Sequence, residues 1–306
     1  HRDLHSFPTR RSSDLRQFLL LAGAASIAAS GRVPQASAAD TIRIGAIHPY
    51  SGPMANYGDE SAKGYELAID KINAAGGVLG KQVELVRGDA ANAQQGIAAV
   101  EQLADQVDLF TGTYTSAVSN AASDAAAQHN KIYWDTEALA QNLTERGLPN
   151  FIRSGPDAST FGRGTVETVL KLVAPELKKD PKDMKVWIEH ENSIYGTSIA
   201  DTQEAVFKET GVQIVGRGSH AYDAIDLNDS VLRAKNAQPD VWIQTGYVED
   251  GNLLLRTAAE QGFKPAVTVM TGVGSSPETL EALGADALEG ILVVAYPRTD
   301  TRETYA

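Results

Sequence analysis

From Thr41 onward, short β-branched runs alternate with stretches whose apolar residues recur every three or four positions. Ile42, Ile44 and Ala46 fall at period two, the spacing of a strand, and Pro49 with Ser51-Gly52-Pro53 ends that run in a loop. Ala62, Tyr65, Ile69 and Ile72 then share one helix face, and Gly76-Gly77 stops the helix after Asn73. The pattern repeats with Val83 to Val86 as strand and Ala93, Ile97, Val100 and Ala104 as a helix face. Leu109-Phe110 follows as strand, 116 to 128 as an Ala-rich helix, and Ile132-Tyr133-Trp134 as strand. Phe151 to Thr160 breaks the rhythm with Gly155-Pro156-Asp157, and a second series begins. It has a helix at 161 to 174 ending at Pro175, further helices near 194 to 209, 228 to 236, 250 to 261 and 277 to 284, and strands beginning at Lys185, Val212, Val241, Val267 and Ile291. Such alternation predicts parallel strands joined by helical crossovers. The expected fold class is α/β, with two doubly wound parallel-sheet lobes at 41–157 and 158–297. In sheets of this kind ligands sit beyond the carboxyl ends of the strands, so two facing lobes define a cleft between their loops.

The first forty residues stand apart from this rhythm. Phe18 to Ala29 is the one long apolar stretch, preceded by Arg16 and followed by Ala36-Ser37-Ala38-Ala39. It is shorter than the roughly 20 apolar residues of a membrane span. A basic flank, a short apolar centre and a small-residue exit read as a secretory signal over 16–39, cleaved after Ala38 or Ala39. The protein is therefore expected to be exported, to the periplasm or another extracytoplasmic space. Residues 1–15 (HRDLHSFPTRRSSDL) carry neither period and no initiator Met, and read as translated adapter DNA.

Composition narrows the partners. Twenty-seven Lys and Arg against 39 Asp and Glu leave a net charge of −12, the wrong sign for binding a phosphate backbone, so no nucleic-acid partner is expected. With no Cys, disulfides, thiol catalysis and Cys-ligated zinc are excluded. Gly76-Gly77-Val78-Leu79-Gly80-Lys81-Gln82 has no hydroxyl after its Lys, as a phosphate loop requires. Neither Gly216-Arg217-Gly218 nor Gly272-Val273-Gly274 supplies the third glycine of a dinucleotide site. His190 lies between Glu189 and Glu191, but adjacent strand residues point to opposite faces, so a hydrogen-bonded histidine is expected there and not a metal ligand. No cofactor is expected. Asp89, Asp135 and Glu137 end strands, where a carboxylate can serve as a general base; capping the following helix is the expected role of Asp89.

Three stretches in order carry a more specific signal. The first is Ser51-Gly52-Pro53-Met54-Ala55-Asn56-Tyr57-Gly58 with Gly64 and Ile72-Asn73-Ala74-Ala75-Gly76-Gly77-Val78-Leu79-Gly80. The second is Leu143-Thr144-Glu145-Arg146-Gly147 running into Phe151-Ile152-Arg153, and the third is Tyr195-Gly196, Gly246-Tyr247 and Gly284 to Gly290. From Thr41 to Arg298 the set resembles the type I periplasmic solute-binding proteins of ABC importers, the Leu/Ile/Val-binding group.

The resemblance implies a monomeric, non-enzymatic receptor that captures a small polar solute, an amino acid or related carboxylate or amide, and delivers it to membrane permease subunits. It places Tyr57 against the ligand, with packing on the first helix as the other reading. It places Thr115 and Ser116 at the ligand carboxylate, where free N–H groups of a helix N-terminus also suit an anion; Ser116 as a plain N-cap is the alternative. Tyr195 and Tyr247 would close over the ligand or pack the lobe. Two departures stand out. Leu139 falls where the family carries a second hydroxyl, and Val273 where it carries an acid for the ligand ammonium. A buried ammonium without a counter-charge is costly, so Trp134, Asp135 and Glu137 are candidates for a different pocket, for a cationic, amide or aromatic solute. The family continues beyond this point, so 298–306 is expected to begin a return crossover and the first lobe to be incomplete, with apolar surface exposed. The alternatives are a ligand-sensing domain of a receptor or regulator with the same fold, and an exported enzyme using Asp135 or Glu137 as base.

Overall fold

A computed structural model describes residues 41–296; the adapter stretch, the signal and the return crossover expected from the sequence lie outside them. The first lobe runs β1 (Thr41–His48), α1 (Ala55–Ala74), β2 (Gln82–Asp89), α2 (Ala93–Leu103), β3 (Leu109–Gly112), α3 (Ser116–Gln128), β4 (Tyr133–Asp135), α4 (Asn142–Glu145) and β5 (Phe151–Arg153). Its strands pair in the order β2-β1-β3-β4-β5, all parallel. The second lobe runs α5 (Ala158–Thr168), β6 (Lys185–Glu191), α6 (Ile194–Thr210), β7 (Gln213–His220), α7 (Asn228–Ala237), β8 (Val241–Thr245), α8 (Val248–Glu260), β9 (Val267–Thr271), α9 (Pro277–Leu283), α10 (Ala285–Leu288) and β10 (Leu292–Val294). Its parallel order is β10-β9-β8-β6-β7. This is the α/β class with two parallel-sheet lobes that the alternation predicts.

Two local expectations are corrected. Phe151-Ile152-Arg153, read as part of the break, is the edge strand β5, with Tyr133 opposite Phe151 and Asp135 opposite Arg153. Three residues are too few to show a period of two. The helix expected to end at Pro175 continues: a π-helical turn at Val169–Val173 leads into Ala174–Glu176. The wider turn relaxes the i−4 ladder in which proline cannot take part.

Helices α2 and α3 cover one face of the first sheet, burying Ile47, Val100, Leu103, Phe110 and Ala122 in a common core. The opposite face is partly covered by α1, whose Asn73 side chain donates to Val83 O at 2.9 Å and accepts the Val83 N–H at 2.8 Å. Beside α1 an apolar hollow remains over Ile42, Ile44, Leu85 and Leu109, and Trp134 at its rim is 43 % exposed. In the second lobe both faces are packed, one around Ile188, Phe207 and Ile243, the other around Trp187, Trp242 and Phe263.

Helix α1 contrasts two glycines. A Cβ on Gly58 would stand 2.2 Å from the Pro49 carbonyl oxygen, so the loop leaving β1 lies directly on the helix there; Gly64 has nothing within 4 Å and is exposed. Gly64→Ala should raise stability by about 0.5–1 kcal/mol through helix propensity. Gly58→Ala should lower it by about 1–3 kcal/mol through overpacking. Urea midpoints of the two variants should move in opposite directions.

Candidate functional site

The carboxyl ends of both sheets meet, so the loops after β1, β3 and β4 face those after β6, β8 and β9. Between them Tyr114, Ser116, Glu137 and Leu139 of the first lobe and Tyr195, Tyr247 and Gly272 of the second, with Tyr296 after β10, line one small cavity. Four predicted residues, Ser116, Glu137, Tyr195 and Tyr247, are thus brought to one cavity. Tyr57 stands one ring behind its wall: it stacks on Tyr114 with centroids 4.2 Å apart and planes 8° apart. The ring series continues from Tyr114 to Tyr247 at 5.9 Å and from Tyr247 to Tyr195 at 5.3 Å, crossing from one lobe to the other. Met54, Leu139, Phe161 and Ile199 pack with these rings. Burial pushes the Tyr114, Tyr195 and Tyr247 hydroxyls well above their ordinary range, so they remain protonated donors.

At the start of α3 the roles of two neighbours are exchanged. Thr115, with extended backbone, holds the N-cap position without a side-chain cap, and it is not among the residues lining the cavity. Ser116 is the first helical residue, not the N-cap; its Oγ accepts the N–H groups of Leu139 at 3.1 Å and Ala140 at 3.0 Å. A hydroxyl that accepts twice still has its one proton to donate.

Asp135 is buried at the end of β4. Its carboxylate takes a hydrogen bond from Ser119 Oγ and accepts the N–H groups of Glu137 at 3.1 Å and Ala138 at 2.9 Å. Burial raises its pKa to about 7 against these hydrogen bonds. The reading of Asp135 as a general base is therefore replaced by a structural one: it ties the loop after β4 to α3 and sets the position of Glu137. Glu137 accepts Ser61 Oγ at 2.7 Å, and burial raises its pKa too. Asp89 does not cap α2, because Asn92 stands closer and accepts the Gln95 N–H at 3.0 Å. Asp89 instead accepts the N–H groups of Tyr50 at 2.8 Å and Ser51 at 3.1 Å, holding the loop before Tyr57.

The second lobe fixes its tyrosines with buried charge. His220 sits between two buried carboxylates, Nδ1 3.0 Å from Glu189 Oε1 and Nε2 3.0 Å from Asp250 Oδ2. Burial pushes the imidazolium down, but hydrogen bonds to Asp250 and Glu189 outweigh it and raise the pKa to about 9. The other Asp250 oxygen accepts the Tyr247 N–H at 2.7 Å. Glu191 accepts the N–H groups of Ser193 at 2.7 Å and Gly196 at 2.6 Å, fixing the first turn of α6 and Tyr195 with it. Tyr195 Oη donates to Gly246 O at 3.3 Å. Val273 is buried. His190 is hydrogen-bonded, Nδ1 to Glu191 O at 2.7 Å and Nε2 to Arg217 Nε at 3.1 Å.

Sequence reasoning did not assign Tyr114 or Tyr296 to the site. Both are aromatic residues just past strand ends, where Tyr57, Tyr195 and Tyr247 carried a motif and these two did not. Among the described residues no group of His, Asp and Glu is arranged to hold a metal ion.

Two parallel α/β sheets whose loops close on a small cavity define a two-lobed binding protein. The sequence profile of the family described as periplasmic binding protein matches residues 41–306, and the chain belongs to that family. It is 40 % identical over 257 residues to the Leu/Ile/Val-binding protein homolog 7 of Brucella suis, covering 83 % of this chain and 64 % of that protein. It is 37 % identical over 281 residues to homolog 8 of Brucella abortus, covering 91 % and 70 %. Its fold matches the branched-chain amino acid transporter substrate-binding protein LivJ of Streptococcus pneumoniae, solved with isoleucine, with a TM-score of 0.71, 25 % identity and coverage of 86 % and 73 %. The chain thus spans just under two thirds of the length of the first of these relatives. All three are named as binding proteins.

His220 keeps its proton to about pH 9 in the folded protein and to 6.5 in the unfolded chain. Its contribution to stability is therefore complete below the lower value and lost as pH rises through the upper one. The melting temperature should fall from about pH 6.5 to about pH 9, and His220→Gln should flatten that slope and cost about 3–5 kcal/mol at neutral pH by leaving two buried carboxylates uncompensated. Calorimetry across this range checks both.

Proposed function

We propose that this protein is the substrate-binding component of an ABC importer, which captures a small polar solute between its lobes and delivers it to membrane permease subunits. The observation that carries this reading is a hollow to which the strand ends of both lobes contribute and which is walled by rings from each side. In this reading 16–39 directs export, 41–157 and 158–297 are the two jaws, and the protein acts as a monomer. The names of the Brucella and Streptococcus proteins support an amino acid or a related carboxylate or amide as the solute.

The chemistry of capture follows from the site. The first N–H groups of α3 have no intrahelical partners and carry the positive end of the helix dipole, so they and the Ser116 hydroxyl can receive an acceptor on the solute. Tyr195 and Tyr247 then close from the second lobe. Because the tyrosine series bridges the lobes, a solute that fills the cavity favours the closed arrangement over the open one, a population shift paid for by its extra contacts in the closed form.

A thermal-shift screen of the 306-residue chain against amino acids, amides, polyamines and aromatic acids tests the reading. A true ligand at 100 times its Kd should add about 2.7 kcal/mol to stability by mass action. Tyr247→Ala should weaken the best hit by about tenfold or more, as expected for an aromatic anchor, and Tyr57→Ala, which acts only through Tyr114, should weaken it by less. The solute should be recovered chemically unchanged. Turnover of the solute, or no response to the whole panel, counts against the reading.

A further inference from the structure

Among the described residues the buried acids Asp135, Glu189, Glu191 and Asp250 each have at least two side-chain or backbone partners, and the half-buried Glu137 has fewer. Glu189 and Asp250 share the His220 imidazolium, and Asp135 has a hydroxyl and two backbone N–H groups. Glu137, on the cavity wall, has one hydrogen bond, from Ser61 at 2.7 Å. A carboxylate offers about four lone-pair positions, so most of its accepting capacity is unused by the protein. None of the cavity-lining residues is Lys, Arg or His. Arg153, at the end of β5, turns its guanidinium to the Ala140 carbonyl instead. Burial raises the Glu137 pKa with no neighbouring cation acting against it.

The rest of the wall suits a positive charge. Tyr114, Tyr195, Tyr247 and Tyr296 line the same space. Aromatic faces attract an ammonium through the ring quadrupole, and more strongly when water is excluded. Leu139 adds an apolar patch for a hydrocarbon body. A partly desolvated carboxylate is costly alone and favourable once paired, so a cationic solute supplies what the site lacks.

We propose that the solute is an amine, whose ammonium group is held by the Glu137 carboxylate of the first lobe within the tyrosine wall. Val273, buried in the second lobe, offers that ammonium no charge. This rests on the solute-binding reading above and names the chemical class of its ligand.

The test is calorimetric titration of the 306-residue chain with probes that separate the charges. Isoamylamine, choline and putrescine carry only cations, leucine carries both charges, isovalerate and 4-hydroxybenzoate carry only a carboxylate, and isovaleramide is neutral. At least one amine-bearing probe should bind, and Glu137→Gln should weaken it about tenfold or more, the loss of one charge-assisted contact. Glu137→Asp, which keeps the charge, should recover part of that affinity, and unliganded melting curves show that each variant is folded. Binding of a carboxylate or the neutral amide with every amine silent overturns the amine assignment and leaves the solute-binding reading standing. Amine binding that Glu137→Gln does not change also overturns it. Silence of all seven probes and of the wider screen overturns both.

Discussion

A loop at the carboxyl end of a parallel sheet carries backbone N–H groups that no neighbouring strand can pair, and a set of carboxylates in this protein supplies what those loops need. Asp89 holds the loop after β1, Asp135 the loop after β4, Glu191 the turn into α6 and Asp250 the turn into α8. Each stands at or just beyond a strand end or in a first helical turn, and each accepts two or more hydrogen bonds. Three of the residues they immobilise, or those one position away, line the cleft: Glu137, Tyr195 and Tyr247. A buried acceptor that loses its donors costs more than a single hydrogen bond contributes, so the loops have little freedom to rearrange.

The same acids set the electrostatics of the two jaws differently. In the second lobe one internal imidazolium is shared by two carboxylates and offsets one of their two charges, and the wall this lobe presents to the cavity is aromatic and uncharged. In the first lobe the acid nearest the cavity has only a serine hydroxyl. The carboxylate that reaches the cavity therefore lies on one wall, beside rings that can share a cation.

Rings cross between the lobes, and among the described residues no ion pair does. Tyr57 on Tyr114, Tyr114 on Tyr247 and Tyr247 on Tyr195 form a continuous series, packed with Met54, Leu139 and Phe161. Aromatic contacts of this kind are each worth about 0.5–1.5 kcal/mol beyond burial. That the ring series passes through Tyr114 explains why Tyr57, though behind the wall, is coupled to it.

Much of this was legible in the chain as written. Periodicity places nearly every strand and helix, because a half-buried strand and an amphipathic helix each impose their own spacing on apolar residues, and alternation of the two implies parallel sheets. The motifs point to Tyr195, Tyr247 and the start of α3. Periodicity reports which face of an element is buried and nothing about what lies across from it. The pairing of β5 with β4, the reach of Ser116 Oγ to the backbone of Leu139 and Ala140, the His220 bridge between Glu189 and Asp250, and the arrival of Tyr296 opposite Glu137 all join residues far apart in the chain. Those contacts exist only once two sheets have chosen their strand order and their lobes have met, since only then do distant side chains share a volume from which water is excluded.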